Sequence, residues 1–245
     1  MFRAVMRMKD LRAVINAIAV ITDDGRFEMS ETGIVIKVVD PSHVTAMTAR
    51  LGLDAFESFE TTPGIIGVDV ARLKDVLNMA DSKDSTVVVE QLDDSDKLIV
   101  TTYTFASEMF LVPVDSIPKC IKIPHITSPV HLVLSAVPLK RAVKLMQKIS
   151  CLYAFFGNQG TLLYITENND FSPMVIKIPG KKTQGTKLGT SNTMIRLATL
   201  MNVMKGIGKT KEIQIGIGVD DIVSMSFTPG PGIDIEYLVA PWIVD

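Results

Sequence analysis

Residues 66–103, IGVDVARLKDVLNMADSKDSTVVVEQLDDSDKLIVTTY, decide the fold. IGVD leads into a helix from Asp69 to Asp84. A hairpin follows, in which TVVVEQL (86–92) and KLIVTTY (97–103) flank the acidic turn DDSD (93–96). The same plan returns near the C-terminus. LGTS (188–191) is followed by a helix read from Thr193 to Met204, and KEIQIGIGV and IVSMSF then alternate around Asp220-Asp221.

Working outward, the repeat extends over both halves. LRAV (11–14) answers KRAV (140–143), an offset of 140 − 11 = 129, and TGI (32–34) answers QGT (159–161), with 160 − 33 = 127. IGVD answers LGTS with 188 − 66 = 122, a drift that a few loop deletions would produce. Each half reads as about two helices and seven or more strands. The expected fold class is α+β, two similar domains, each an antiparallel sheet with two helices on one face. Between the halves lies IPKCIKIP (117–124), followed by Pro129. Its prolines forbid a regular helix, and its isoleucines favour lying against the protein body. The expected organisation is 1–116 for the first domain, 117–129 for a connecting loop and 130–245 for the second domain.

With 245 residues and 47% apolar composition, real cores are assured. No apolar run approaches the ~20 residues of a membrane span, and the N-terminus has no signal-peptide pattern, so the protein is expected to stay where it is made and to have no membrane partner. Cys120 and Cys151 are the only cysteines and suit a reducing compartment. A net charge of −2 gives no overall bias toward nucleic acid, so any basic surface must be local.

Local basic surface is present. The helix read from Leu139 to Ser150 places Lys140, Arg141, Lys144 and Lys148 within an arc of about 100°, with Leu145, Ile149, Ala142, Met146 and Val143 opposite, and has no acid. The first helix carries Lys9 and Arg12 opposite Leu11, Val14, Ile15 and Ile18. The last adds Arg196, Lys205, Lys209 and Lys211 through its turn. The helix from Asp69 to Asp84 is the exception, with Arg72, Lys74 and Lys83 against Asp69, Asp75, Asp81 and Asp84, a count of 3 − 4 = −1. A charged helical face is usually solvated surface; three basic faces in an acidic chain call for a further reason.

Gly208-Lys209-Thr210 mimics the end of a phosphate-binding loop, but Val203 stands where that loop needs glycine, and the segment runs from helix to strand rather than strand to helix. It is expected to be a helix-terminating turn. His43, His125 and His131 lack metal-site spacing, so neither a metal nor another cofactor is expected. Gly189 to Thr193 lacks the second glycine of a nucleophile elbow, and no catalytic residue is assigned.

Asp40-Pro41-Ser42-His43-Val44, Ala55-Phe56-Glu57 before IGVD, and Leu238-Val239-Ala240-Pro241 near the C-terminus occur in an order along the whole chain that resembles the sliding clamps of the proliferating cell nuclear antigen family, most closely the archaeal ones. Trp242 departs from that pattern, where a basic or polar residue is more usual.

The resemblance implies a non-enzymatic processivity factor: a ring of three subunits with helices lining a hole threaded by double-stranded DNA. The DNA-facing residues would then be Lys9, Arg12, Arg72, Lys140, Arg141, Lys144, Lys148, Arg196, Lys205, Lys209 and Lys211. It also implies a pocket for short peptide motifs of DNA polymerase, flap endonuclease and DNA ligase, and a clamp loader as a further partner. Carried over by motif, the pocket is Val39, His43 and Val44, Ile121, Ile123 and Pro124, and Leu238, Val239, Ala240 and Pro241. Subunits would join edge to edge through Ser107, Met109, Phe110 and Leu111 on one side and Met174, Val175, Ile176, Lys177 and Ile178 on the other. Homotrimer and heterotrimer both remain open. Localisation follows the source, cytoplasmic and nucleoid-associated if archaeal, nuclear if eukaryotic. The rival readings are a peptide-binding adaptor or heteromeric clamp subunit and, less well supported, a P-loop-like nucleotide-binding enzyme.

Overall fold

The computed structural model describes residues 1–81, 85–92, 95–119, 130–148, 153–157, 162–166, 175–177, 180–182, 192–218 and 221–242. The first half runs β1 (Phe2–Arg7), α1 (Met8–Ile18), β2 (Asp24–Ser30), β3 (Gly33–Val39), β4 (Thr45–Gly52), β5 (Phe56–Thr61), β6 (Gly64–Asp69), α2 (Val70–Met79), β7 (Thr86–Gln91), β8 (Lys97–Thr101) and β9 (Ala106–Phe110). The second runs β10 (Val130–Ser135), α3 (Ala136–Lys148), β11 (Tyr153–Gly157), β12 (Leu162–Thr166), β13 (Val175–Lys177), β14 (Gly180–Lys182), β15 (Asn192–Arg196), α4 (Leu197–Gly206), β16 (Glu212–Ile217), β17 (Val223–Gly230) and β18 (Ile233–Val239).

The two halves have the same element order, and so do their sheets. Strand order β5-β1-β7-β8-β9 in the first half is matched by β14-β10-β16-β17-β18 in the second, and β6-β2-β3-β4 is matched by β15-β11-β12-β13. Equivalent pairs are antiparallel in both copies: Val5 faces Val88 as Val133 faces Gln214, and Phe27 faces Ile36 as Phe156 faces Leu163. Both hairpins expected around acidic turns form, with Val88 opposite Thr101 and Gln214 opposite Ser226.

The register of the repeat needs correction at two places. Helices α1 and α3 begin at 136 − 8 = 128, which equates Leu11 with Leu139 rather than with Lys140. Burial decides it, because Leu11 and Leu139 are both in the core while Lys140 is half-exposed. Likewise α2 and α4 begin at 197 − 70 = 127, so IGVD corresponds to Thr193–Arg196 and not to LGTS, which lies outside the described residues. Thr193–Arg196 is strand, not helix. Buried Thr193 and Ile195 alternate with Met194 and Arg196, a period of two that the long apolar run concealed. Helix α3 starts three residues before Leu139, with Pro138 in its first turn, where no intrahelical N–H bond is lost.

By contact, the chain divides into two compact units, one of Met1–Pro41, Met47–Lys122 and Thr228–Ile235, the other of Ser42–Ala46, Ile123–Phe227 and Glu236–Asp245. In the first unit, Leu11, Val14, Leu73, Phe27, Ile36, Met6 and Leu98 bring both helices and both sheets to one apolar interior. Each such side chain contributes about 1.5–3 kcal/mol by leaving water. Gly33 opens β3 with φ +129, and a Cβ there would lie 2.0 Å from the Leu51 carbonyl oxygen, so both backbone conformation and space require glycine. Ile117 is buried, as its apolarity suggested, and its carbonyl accepts from Arg26 Nη1. Cys120, Cys151 and residues 121–129 lie outside the described residues.

Asp69 caps α2, its carboxylate accepting from Arg72 N–H at 2.7 Å. Asp69→Ala is expected to lower stability by about 1 kcal/mol, the usual loss for a helix N-cap, read as a reduced denaturant midpoint with unchanged slope.

Candidate nucleic-acid and peptide interfaces

The observed bounds change the charge of the second helix. Within Val70–Met79, Arg72 and Lys74 oppose Asp75 alone, 2 − 1 = +1. Asp69 is the cap, Asp81 follows the helix end, and Lys83 and Asp84 lie outside the described residues. The helix expected to be acidic is therefore basic. In α1, Asp10 is buried and bonded by Arg7 Nε at 2.5 Å, so Lys9 is the exposed charge of that helix. Helix α3 carries four cations and no acid, and α4 carries Lys205 and no acid. All four helices are net positive in a chain of charge −2.

Lys9, Arg72, Arg141, Lys144, Lys205, Lys209 and Lys211 are exposed. Lys148 ends α3. Leu145, assigned to the apolar arc, is 39% exposed instead, at the margin where that arc meets the lysines.

Two cations have a further engagement. Arg12 donates through Nε and Nη2 to Leu77 O at 3.1 and 2.5 Å, and through Nη2 to Ala80 O at 2.7 Å. Lys140, at the equivalent place (140 − 12 = 128), donates through Nζ to Gly208 O. Arg12 thereby ties α1 to the C-terminal end of α2, and Lys140 ties α3 to the turn that follows α4, where carbonyls lie at the negative end of the helix dipole. Partial burial, and then Lys144 beside it, lower the pKa of Lys140 from the ordinary lysine value.

Gly208-Lys209-Thr210 forms the expected terminating turn. Gly208 has φ +59 and its N–H donates to Lys205 O at 3.2 Å, while Thr210 N–H donates to Ile207 O. The carbonyl-rich end of α4 meets this turn, the wrong polarity for a phosphate cradle.

The segment carrying the peptide-pocket residues is assembled within the second unit. Ala240 N–H donates to Val44 O at 2.8 Å, and Trp242 N–H donates to Met194 O at 2.7 Å, so the C-terminal segment is held on both flanks. His43 is exposed with φ 56, and Val44, Ala240 and Pro241 are half-buried. Leu238 and Val239 are buried at 6% and 0% exposure and serve as core, a departure from the pocket-wall expectation that arises because alternation fails at the end of β18. In the first unit, Val39 ends β3 half-buried. Ile121, Ile123 and Pro124 lie outside the described residues.

Sequence reasoning missed the contact beside this segment. The guanidinium carbon of Arg196 lies 3.6 Å from the Trp242 ring centroid. No periodicity links two residues 242 − 196 = 46 apart, and the departure at Trp242 was the one signal.

The strands expected at subunit contacts are terminal in their sheets. Among the described residues, β9 pairs with β8 alone and β13 with β12 alone, Leu162 facing Lys177. On β9, Ser107 is half-buried, Met109 buried and Phe110 62% exposed. Leu111 lies just past the strand, its N–H donating to Asp96 O. Val175, Ile176 and Lys177 make up β13, whereas Met174 and Ile178 lie outside the described residues. Among the described residues, no group of three potential metal ligands occurs, and no helix is long and apolar enough to cross a membrane.

The family model for the N-terminal domain of proliferating cell nuclear antigen matches residues 1–111. The DNA polymerase sliding clamp of Methanothrix thermoacetophila is 30% identical over 243 residues, covering 99% of each chain, and that of Methanocella arvoryzae is 30% identical over 246 residues with the same coverage. Among solved structures, A. fulgidus PCNA bound to the C-terminal region of FEN-1 superposes with a TM-score of 0.88 at 24% identity over 100% of both chains. PCNA from Thermococcus kodakaraensis gives 0.85 at 21% identity, covering 99% of this chain and 100% of that one. These two share the fold. Full-length similarity to the curated clamps, with the doubled α+β topology and four basic helices, places the chain in the DNA polymerase sliding clamp family, whose members are processivity factors and not enzymes.

Proposed function

We propose that the chain closes head to tail into a three-membered ring around duplex DNA, through β9 of one copy and β13 of the next. The repeat carries this reading. β9 ends the first half's five-strand run as β18 ends the second's, and β13 ends the second half's four-strand run as β4 ends the first's. β18 and β4 are neighbours in one sheet, so the junction between these strand types is satisfied within the chain once and, among the described residues, left open at β9 and β13. Repeating the same junction between copies pairs both open edges and generates a heterologous, closing contact. The domain limits proposed for the subunit are 1–116, 117–129 and 130–245.

The cations facing DNA in this ring are Lys9, Arg72, Arg141, Lys144, Lys148, Lys205, Lys209 and Lys211, with Arg12 and Lys140 fixing the helix pairs that present them. Contacts to phosphate alone are independent of sequence and weaken with salt, which suits a tether that slides. Clients dock on the segment formed by His43, Val44, Ala240 and Pro241. The A. fulgidus clamp with the C-terminal region of FEN-1 supports a flap endonuclease as one client. Polymerase, ligase and a clamp loader are proposed with it. The archaeal sources of the curated relatives favour a cytoplasmic, nucleoid-associated protein.

Pro241→Asp tests the docking surface. A charge buried against an apolar anchor costs several kcal/mol, so affinity for a short peptide with two aromatic anchors should fall at least about tenfold in isothermal titration, with solution mass unchanged. Unchanged affinity in the folded variant would move the docking surface elsewhere.

A further inference from the structure

Trp242 is the single tryptophan of the chain and directly follows the Ala240–Pro241 segment assigned to client docking. Its backbone is fixed through Met194 O, and the Arg196 guanidinium is stacked on its ring at 3.6 Å. Stacking occupies the face of a guanidinium. Its five N–H donors lie in the plane of the group and remain able to fork onto a carboxylate. Arg196 is exposed, and it forms no ion pair with a carboxylate of the described residues.

We propose that Arg196 and Trp242 form a rigid cationic shelf at the edge of the client site, which receives an acidic side chain flanking the aromatic anchors of a client peptide. This rests on the docking reading above and names a specificity element within it. The ring that fixes Arg196 belongs to the same pinned segment as Ala240 and Pro241, so the cation is placed by the docking surface. The indole holds the guanidinium before the client arrives, which lowers the entropy lost on forming the pair. In a chain of net charge −2, selection of an acidic flank needs such a local cation. Arg196 is thereby separated from the phosphate-facing set to which its position beside α4 had assigned it.

The test uses two synthetic peptides with adjacent phenylalanine anchors in a helical turn, one flanked by aspartates and the other by asparagines. Neither contains tryptophan, so the emission of Trp242 reports occupancy directly, and isothermal titration gives the affinities. The parent protein should bind the aspartate peptide about fivefold more tightly, a difference in the range of charge-assisted hydrogen bonds at a partly exposed site. Arg196→Gln should abolish that preference and leave the asparagine peptide unaffected. Trp242→Leu, read by calorimetry, should reduce it. Equal binding of the two peptides by the parent overturns the shelf while sparing the docking surface. Failure of both peptides to bind overturns the docking surface and the shelf together. If Arg196→Gln instead lowers the salt dependence of DNA binding with the peptide preference intact, Arg196 contacts phosphate and the shelf is wrong.

Discussion

Phe110→Asp should convert a particle of about 80 kDa, three copies of the 26.8 kDa chain, into monomers. Phe110 is 62% exposed at the end of β9, which among the described residues is an edge strand of its sheet. Burying its ring against the next copy contributes about 1.5–3 kcal/mol at each junction. An aspartate there removes that gain and adds the cost of desolvating a charge, and the loss recurs at all three junctions. The substitution leaves the chain's interior alone, because Met109 supplies the buried side of the strand. Light scattering with size exclusion reads the outcome. A stable 26.8 kDa parent would favour the heteromeric or adaptor reading, and an intact ring in the variant would place the junction on another edge.

Arg141→Glu combined with Lys144→Glu should nearly abolish loading-dependent processive synthesis at low salt. Both residues are exposed on the helix with the highest positive charge, and neither is engaged by a helix terminus as Arg12 and Lys140 are. Each phosphate that is no longer neutralised takes about 0.9 from the slope of log affinity against log salt, so the parent and variant curves should converge as salt rises. The deficit should be the same on any DNA sequence, since no base edge is read. Circular dichroism, ring mass and peptide binding should be unchanged. Equal processivity of parent and variant across the salt series would reduce the stripe to solvated surface.

The fold was legible because each half repeats the same alternation of helical and strand periods, and the acidic hairpin turns marked equivalent places. Register was not legible to the residue. RAV recurs at 12–14 and 141–143, and the letters align at 129 where the buried leucines align at 128. Thr193 to Met204 lacks glycine and proline and so resembles one helix, although a five-residue strand ends within it at Arg196. The open edges could be named from the resemblance, but their equivalence to β18 and β4 required the strand order. The charge of α2 was misjudged because a capping aspartate and an aspartate past the helix end are indistinguishable from helical ones in a count of letters. The Arg12 and Lys140 ties and the Arg196–Trp242 stack join distant side chains to carbonyls or rings, and no local pattern records them.

Topological retention tests the central claim most directly. Labelled protein is loaded by a clamp loader onto nicked circular DNA, isolated by gel filtration at moderate salt, and the circle is then cut at one site. An encircling ring stays with the closed circle and leaves once ends are available, and Phe110→Asp is never retained. Retention that persists after linearisation, or that depends only on salt, would contradict encirclement and leave a protein that binds DNA by surface charge.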